Sequence, residues 1–142
     1  MHVSRIDHIL IKVDELEKTT QEYEKVFGFS FPPVIDFTDR SGFKVVFNQF
    51  PNGIELMKVV DNTKPMARLY DEAPVGVFAL SLKVDNLEKS IAEMERFGYR
   101  HLFTYGGGEI KEGLFDTIEK LGVYIELVEY PNDDISSAEF VR

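Results

Sequence analysis

The sequence predicts an α+β protein in which one β-α-β-β-β unit is written twice. Three observations carry that expectation. Lys12-Val13-Asp14 and Leu16-Glu17-Lys18 return as Lys83-Val84-Asp85 and Leu87-Glu88-Lys89, displaced by 71 residues in a chain of 142. Phe27-Gly28 returns as Phe97-Gly98 at a displacement of 70, and Ile54-Glu55-Leu56 as Ile125-Glu126-Leu127 at 71. Within each copy the local signals read strand, helix, strand, strand, strand in the same order.

Module one runs from about residue 5 to 60. Ile6 to Val13 is a β-rich run, and Asp14-Glu15-Leu16-Glu17 supplies a cap and an acidic first turn. Leu16 to Val26 has the spacing of an amphipathic helix, with Gly28 as its stop. Pro32-Pro33 interrupts Phe29 to Phe37, so a strand there is short or at an edge. Asp39-Arg40-Ser41-Gly42 is a turn, Phe43 to Phe50 a strand, Pro51-Asn52-Gly53 a hairpin turn and Ile54 to Val60 the last strand.

Module two, about 75–130, repeats the order: strand Val77 to Val84, helix Leu87 to Phe97, then strands near Tyr99–Thr104, Gly113–Ile118 and Val123–Tyr130. Asp61 to Pro74 reads as the linker, and the polar tail 131–142 as a loose segment or a short covering helix. Gly106-Gly107-Gly108 lacks the lysine and helix start of a phosphate loop. It reads as a hairpin connection, or as a mobile flap.

At 142 residues the chain has the size of a single domain, and each half would be marginal alone. A net charge of −9 opposes binding to phosphate backbones, so nucleic acid is not an expected partner. The absence of cysteine excludes disulfides and thiolate chemistry. No signal peptide is visible at the N-terminus, and no apolar run approaches the roughly 20 residues of a membrane span. The expected location is the cytoplasm.

Strand alternation selects the residues that can carry chemistry. Ile9, Ile11 and Val13 face the helix, which turns His8 to the opposite face with Ile6 and Leu10. Ile54 and Leu56 do the same for Glu55, and Ile125 and Leu127 for Glu126, which shares its face with Tyr124 and Val128. Val77, Ala79 and Ser81 complete this wall. With Pro51-Asn52 as a two-residue turn, Val46 and Asn48 flank Glu55, while Phe43, Val45 and Phe47 join the helix-side core. His8 precedes Glu55 by 47 residues, and the same count back from Glu126 lands on Ala79.

Two β-α-β-β-β units, a strand opening on Asp7-His8-Ile9 and a last strand reading Ile-Glu-Leu, resemble the vicinal oxygen chelate superfamily, which includes glyoxalase I, methylmalonyl-CoA epimerase, extradiol dioxygenases and bleomycin resistance proteins. The resemblance runs from Arg5 to about Tyr130. It implies a curved mixed sheet around a central cavity, a homodimer and a small-molecule ligand. It also implies one divalent metal ion (Zn, Mn, Mg, Ni or Fe) on His8, Glu55, position 79 and Glu126. Ala79 cannot ligate, so the implied metal site is incomplete.

The activity the resemblance implies is that of a metal-dependent lyase or isomerase on a small oxygenated substrate. The alternative is a non-catalytic binder of the bleomycin-resistance type. A metal-free version would use Glu55 and Glu126 as general base and acid. By analogy with the epimerases, Asp39 in its turn is a further catalytic candidate. Ile6, Leu10, Asn48, Ala79, Ser81 and Tyr124 are the candidate substrate-binding residues.

Overall fold

Strand β1 (Val3–Lys12) and helix α1 (Leu16–Phe27) occupy the segments whose patterns demanded them. Gly28 ends α1 in the left-handed conformation, at φ 69°. The computed structural model describes residues 1–48 and 53–131. The expected turn at Pro51-Asn52, the end of the preceding strand and the tail beyond Pro131 therefore lie outside the described residues.

The chain divides into two units that are not the two sequence copies. One is Ile9–Phe78; the other joins Met1–His8 to Ala79–Arg142. The boundary falls inside β1, between His8 and Ile9.

The Ile9–Phe78 unit contains α1, β2 (Ile35–Phe37), α2 (Thr38–Ser41), β3 (Phe43–Asn48), β4 (Ile54–Val59) and α3 (Pro65–Glu72). Its strands lie in the order β2-β3-β4-β1, with β1 parallel to β4 and the other pairs antiparallel. Leu16 of α1 packs with Val13, Val46 and Leu56, joined by Ile11, Tyr23 and Ile54. Leu56 is fully buried, a contribution of about 1.5–3 kcal/mol. The helix-side parity expected for β1 and β4 is therefore the observed one.

Three local features depart from the expected pattern. Residues 61–74 are more than a linker, because α3 begins with Pro65 in its first turn and buries Ala67 and Tyr70. The Tyr70 ring meets Phe43 and Phe78 edge-on, at 5.3 and 4.5 Å. Lys12 caps the end of this helix, donating to the carbonyls of Asp71 (3.0 Å) and Ala73 (2.6 Å). The turn at residues 39–42 winds into the single helical turn α2, stopped by Gly42 at φ 86°.

The third departure is in register. Asn48 pairs with Ile54, Phe47 with Glu55 and Val46 with Leu56. The turn expected at Pro51-Asn52 gives a pairing one residue away from this, and a one-residue offset moves every side chain to the other face. Val46 thus joins the core under α1, and Phe47 stands beside Glu55.

The other unit contains β5 (Gly76–Val84) from Ala79 onward, α4 (Leu87–Arg96), β6 (Arg100–Gly107), β7 (Ile110–Asp116), α5 (Ile118–Leu121) and β8 (Tyr124–Glu129). The strand order is β5-β8-β7-β6, with β5 parallel to β8 and the rest antiparallel. Asn86 caps α4 by accepting from the Lys89 amide, and Glu129 accepts from the Leu87 amide at 2.7 Å. Val84, Leu87, Met94, Phe115, Ile125 and Leu127 form the core beneath α4. Gly106 and Gly107 belong to β6, and Gly107 pairs with Ile110, so the glycine run makes a tight hairpin. Among the described residues no helix is long and apolar enough to cross a membrane.

Candidate functional site

The register of β5, β8 and β7 builds one face of the site. Ser81 pairs with Glu126, Ala79 with Tyr124, and Glu126 with Leu114. Leu80, Leu82, Ile125 and Leu127 on alternate positions pack toward α4. Alternation therefore leaves Ala79, Ser81, Tyr124 and Glu126 together on the other face, as expected from sequence. Ala79 and Ser81 are fully buried and Glu126 is 2% exposed.

His8 comes to this face from β1 and is 3% exposed. Its Nε2 lies 3.2 Å from Glu126 Oε1, without the angle of a formed hydrogen bond. On the other side of the ring, Nδ1 is 2.9 Å from Asp7 Oδ2. The Tyr105 hydroxyl, from β6, donates to Glu126 Oε2. The Tyr130 hydroxyl donates to Asp7 Oδ1, and Arg5 Nη2 donates to the Tyr130 oxygen at 2.6 Å. One imidazole thus sits between two carboxylates, and each carboxylate receives a tyrosine hydroxyl.

The electrostatics follow from that arrangement. Burial drives the Glu126 carboxyl upward, but the close approach of the His8 imidazole, then the hydroxyls of Tyr105 and Ser81, outweigh it and hold it below its ordinary value. Asp7 behaves alike: burial raises it, while His8, Tyr130 and Arg5 together lower it. Burial and the Asp7 carboxylate push the Tyr130 phenol well above its ordinary value. Both carboxylates are therefore ionised at neutral pH, and Tyr130 stays a proton donor.

Of the expected site residues, the structure brings His8 and Glu126 together. Glu55 lies in the Ile9–Phe78 unit, half-buried, in register with Leu10 and Phe47. Leu10 is buried beside it, as alternation requires. Asn48 does not flank Glu55, because its partner is Ile54 and it shares the face of Ile54. Ile6 is 57% exposed, so it lines no enclosed wall of its unit. Asp39 stands exposed in the first turn of α2.

Sequence reasoning missed four residues of this network: Arg5, Asp7, Tyr105 and Tyr130. Asp7 is the chain neighbour of His8, and strict alternation would turn it to the opposite face. Tyr105 stands next to the glycine run and Tyr130 closes the last strand run. Neither position carries a signal that joins it to a carboxylate 21 or 123 residues away.

The donors fit a divalent ion in kind, since one imidazole nitrogen and one carboxylate oxygen face each other in a buried setting. They fall short in number. Among the described residues no group of three His, Cys, Asp or Glu side chains is placed to hold a metal.

A family model described as glyoxalase/bleomycin resistance protein/dioxygenase superfamily matches residues 7–115. The chain is similar in structure to methylmalonyl-CoA epimerase from Mycobacterium tuberculosis, with TM-score 0.74, 23% identity, and 92% and 90% of the two chains covered. It is similar to a hypothetical protein from Bacillus halodurans C-125, with TM-score 0.75, 20% identity and coverage of 91% and 96%. A methylmalonyl-CoA epimerase in complex with methylmalonyl-CoA and NH4+ gives TM-score 0.76, 18% identity and coverage of 94% and 99%. At these identities the likeness carries the fold. No curated protein sequence matches the chain.

Proposed function

Because the chain belongs to the glyoxalase/bleomycin resistance protein/dioxygenase superfamily, we propose that it is an isomerase or lyase of that superfamily, with His8 and Glu126 at its reacting centre. The observation that carries this reading is the buried His8–Glu126 pair, held from one side by Asp7 and from the other by Tyr105. A buried polar pair contributes little net stability to a fold, so its place in a wall of small and apolar residues points to chemistry.

The chemistry is proton transfer at a carbon next to a carbonyl. His8 and Glu126 are the residues that would help to hold a divalent ion, whose chemistry there would be to lower the cost of the enolate-like charge. The residues of this chain do the rest. Tyr105 orients the Glu126 carboxylate, and Asp7 holds the imidazole in place. Ala79 and Leu114 keep water from the pair. Acyl thioesters such as methylmalonyl-CoA are the first substrates to try, because that compound occupies one structural neighbour. The superfamily resemblance also implies a cytoplasmic homodimer.

The test measures deuterium incorporation next to the carbonyl in heavy water, together with metal content by mass spectrometry. The expected result is metal-dependent exchange that is lost in His8→Ala. Neither metal uptake nor exchange with any of a panel of small acyl thioesters and α-hydroxy ketones would overturn the proposal. Saturable ligand binding without exchange would favour a binding protein instead.

A further inference from the structure

We propose that Ser81 is a further donor to the divalent ion that His8 and Glu126 would help to hold, in place of the ligand that Ala79 cannot supply, and that it makes the donor set one suited to a hard, oxygen-preferring ion such as Mn2+. The inference rests on the reading of His8 and Glu126 as the reacting centre and goes on to assign a third residue and the class of ion.

Two polar atoms left over in the interior point to it. Nearly every buried hydroxyl or carboxylate oxygen in a folded protein has a hydrogen-bond partner, and one that lacks it calls for an ion or a water. Among the described residues, Ser81 Oγ and Glu126 Oε1 are both buried and neither has a formed hydrogen bond. Ser81 is fully buried and Glu126 is 2% exposed, so bulk solvent does not serve them. The two residues stand in register on the parallel strands β5 and β8, and neighbouring strands lie about 4.8 Å apart. The Ser81 hydroxyl also favours the ionised form of the Glu126 carboxyl. On the same face, His8 Nε2 lies 3.2 Å from that Glu126 oxygen. One nitrogen and two oxygens, from β1, β5 and β8, thus share a buried face, and a cation is a guest that takes lone pairs from all three.

The repeat shows why the donor sits at position 81. At a displacement of 71, His8 corresponds to Ala79 and Leu10 to Ser81. Leu10 is in register with Glu55 as Ser81 is with Glu126. Each copy therefore holds one polar and one apolar residue at these two positions, in opposite order. Position 79 stands two residues along the strand from the partner of Glu126, about 6.6 Å away. An imidazole is long enough to work from there, whereas a serine hydroxyl is one bond from its Cβ. A short donor serves the same guest only from the position beside the carboxylate. The exchange also replaces a nitrogen by a neutral oxygen. Carboxylate, hydroxyl and water oxygens suit Mg and Mn, whereas imidazole-rich sets suit Zn and Ni.

The experiment uses the full chain, freed of metal with chelator, then titrated with Mn2+ by electron paramagnetic resonance and with Cd2+ by ultraviolet absorption. The parent should bind one Mn2+ per chain and, having no cysteine, show no sulfur-to-metal charge-transfer band. Ser81→Ala should weaken Mn2+ binding by roughly tenfold or more, the worth of a hydroxyl facing a charge. Ser81→Cys, close to serine in volume, should bind Cd2+ more tightly than the parent and show a charge-transfer band that saturates at one ion per chain. Adding His8→Ala to Ser81→Cys should abolish that band. A merely structural Ser81 would produce no band, and Ser81→Cys makes the comparison should Ser81→Ala fail to fold. Equal Mn2+ affinity in the parent and folded Ser81→Ala, or saturation of Ser81→Cys with Cd2+ without the band, would overturn the inference and leave the proposed reaction standing. A parent that takes up no Mn2+ would overturn it as well, and the deuterium-exchange assay then decides separately whether the proposed reaction survives.

Discussion

Replacing His8 by leucine removes the imidazole placed against Glu126 and leaves a carboxylate 2% exposed among Ala79, Ser81 and Leu114. Breaking a buried pair from one side costs about 3–5 kcal/mol. Protonation of Glu126 limits the loss, at about 1.4 kcal/mol per pH unit of displaced pKa. The sign with pH can be worked out. In the parent chain Glu126 is held below its unfolded value, so its contribution is present above that value and fades as the pH falls. In His8→Leu, burial acts without His8 and lifts the carboxyl above its unfolded value, so stability is lost as the pH rises through that interval.

The two curves should therefore diverge upward in pH, from near coincidence below about pH 4 to a gap of about 3–5 kcal/mol near neutrality. Urea unfolding followed by circular dichroism, in chelator at half-unit steps from pH 4 to 8, reads the gap directly. The double variant His8→Leu with Glu126→Leu should regain most of the loss, because a buried pair replaced by apolar groups is often neutral or stabilising. A gap under about 1 kcal/mol at pH 7, or one independent of pH, would refute the reasoning. It would mean that Glu126 is not held as an ion by His8.

Three further substitutions test the surroundings. A Cβ at Gly42 (φ 86°) would fall 2.2 Å from the Asp61 carbonyl oxygen, whereas one at Gly28 (φ 69°) meets nothing within 4 Å. Gly28→Ala should cost about 1–2 kcal/mol and Gly42→Ala clearly more, with thermal melts showing equal losses if this contrast is mistaken. Lys12→Met should destabilise by about 1–3 kcal/mol and raise amide exchange in α3, since Lys12 holds the last carbonyls of that helix; unchanged exchange would remove Lys12 from that role. Tyr105→Phe takes one donor from Glu126 Oε2 and should cost about 1–3 kcal/mol in urea unfolding, with no loss if Tyr105 merely fills space.

How much of this was legible in the sequence depends on range. The repeat gave the order of strands and helices because each element has its own local period. It also gave the helix-facing sides of β1, β4 and β8, because alternation needs only one anchored residue. Asn48 fails where a face must be carried across a turn, since one residue of offset inverts it. Helix α3 was hidden because eight residues hold too few apolar positions for a period to show, and Tyr70 is buried by partners distant in sequence. The pairing of His8 with Glu126 was half legible: each could be placed on a face, and neither could be placed against the other. Arg5, Asp7, Tyr105 and Tyr130 were illegible because hydrogen-bond direction is a property of assembled neighbours.

The division of the chain inside β1 has a consequence for its synthesis. Every residue of the Ile9–Phe78 unit has been polymerised before Ala79 is added, so that unit has all its material early. Met1–His8, although translated before that unit, belongs with residues translated after it. Asp7 and Tyr130 are separated by 123 residues, on the order of ten seconds of elongation. During that interval the nascent chain carries Arg5, Asp7 and His8 before Glu126 and Tyr130 have been made. The His8–Glu126 pair thus joins a residue made before the Ile9–Phe78 unit to one made after it, so a stall or truncation between Phe78 and Glu126 yields a chain that holds all of one unit and lacks that pair.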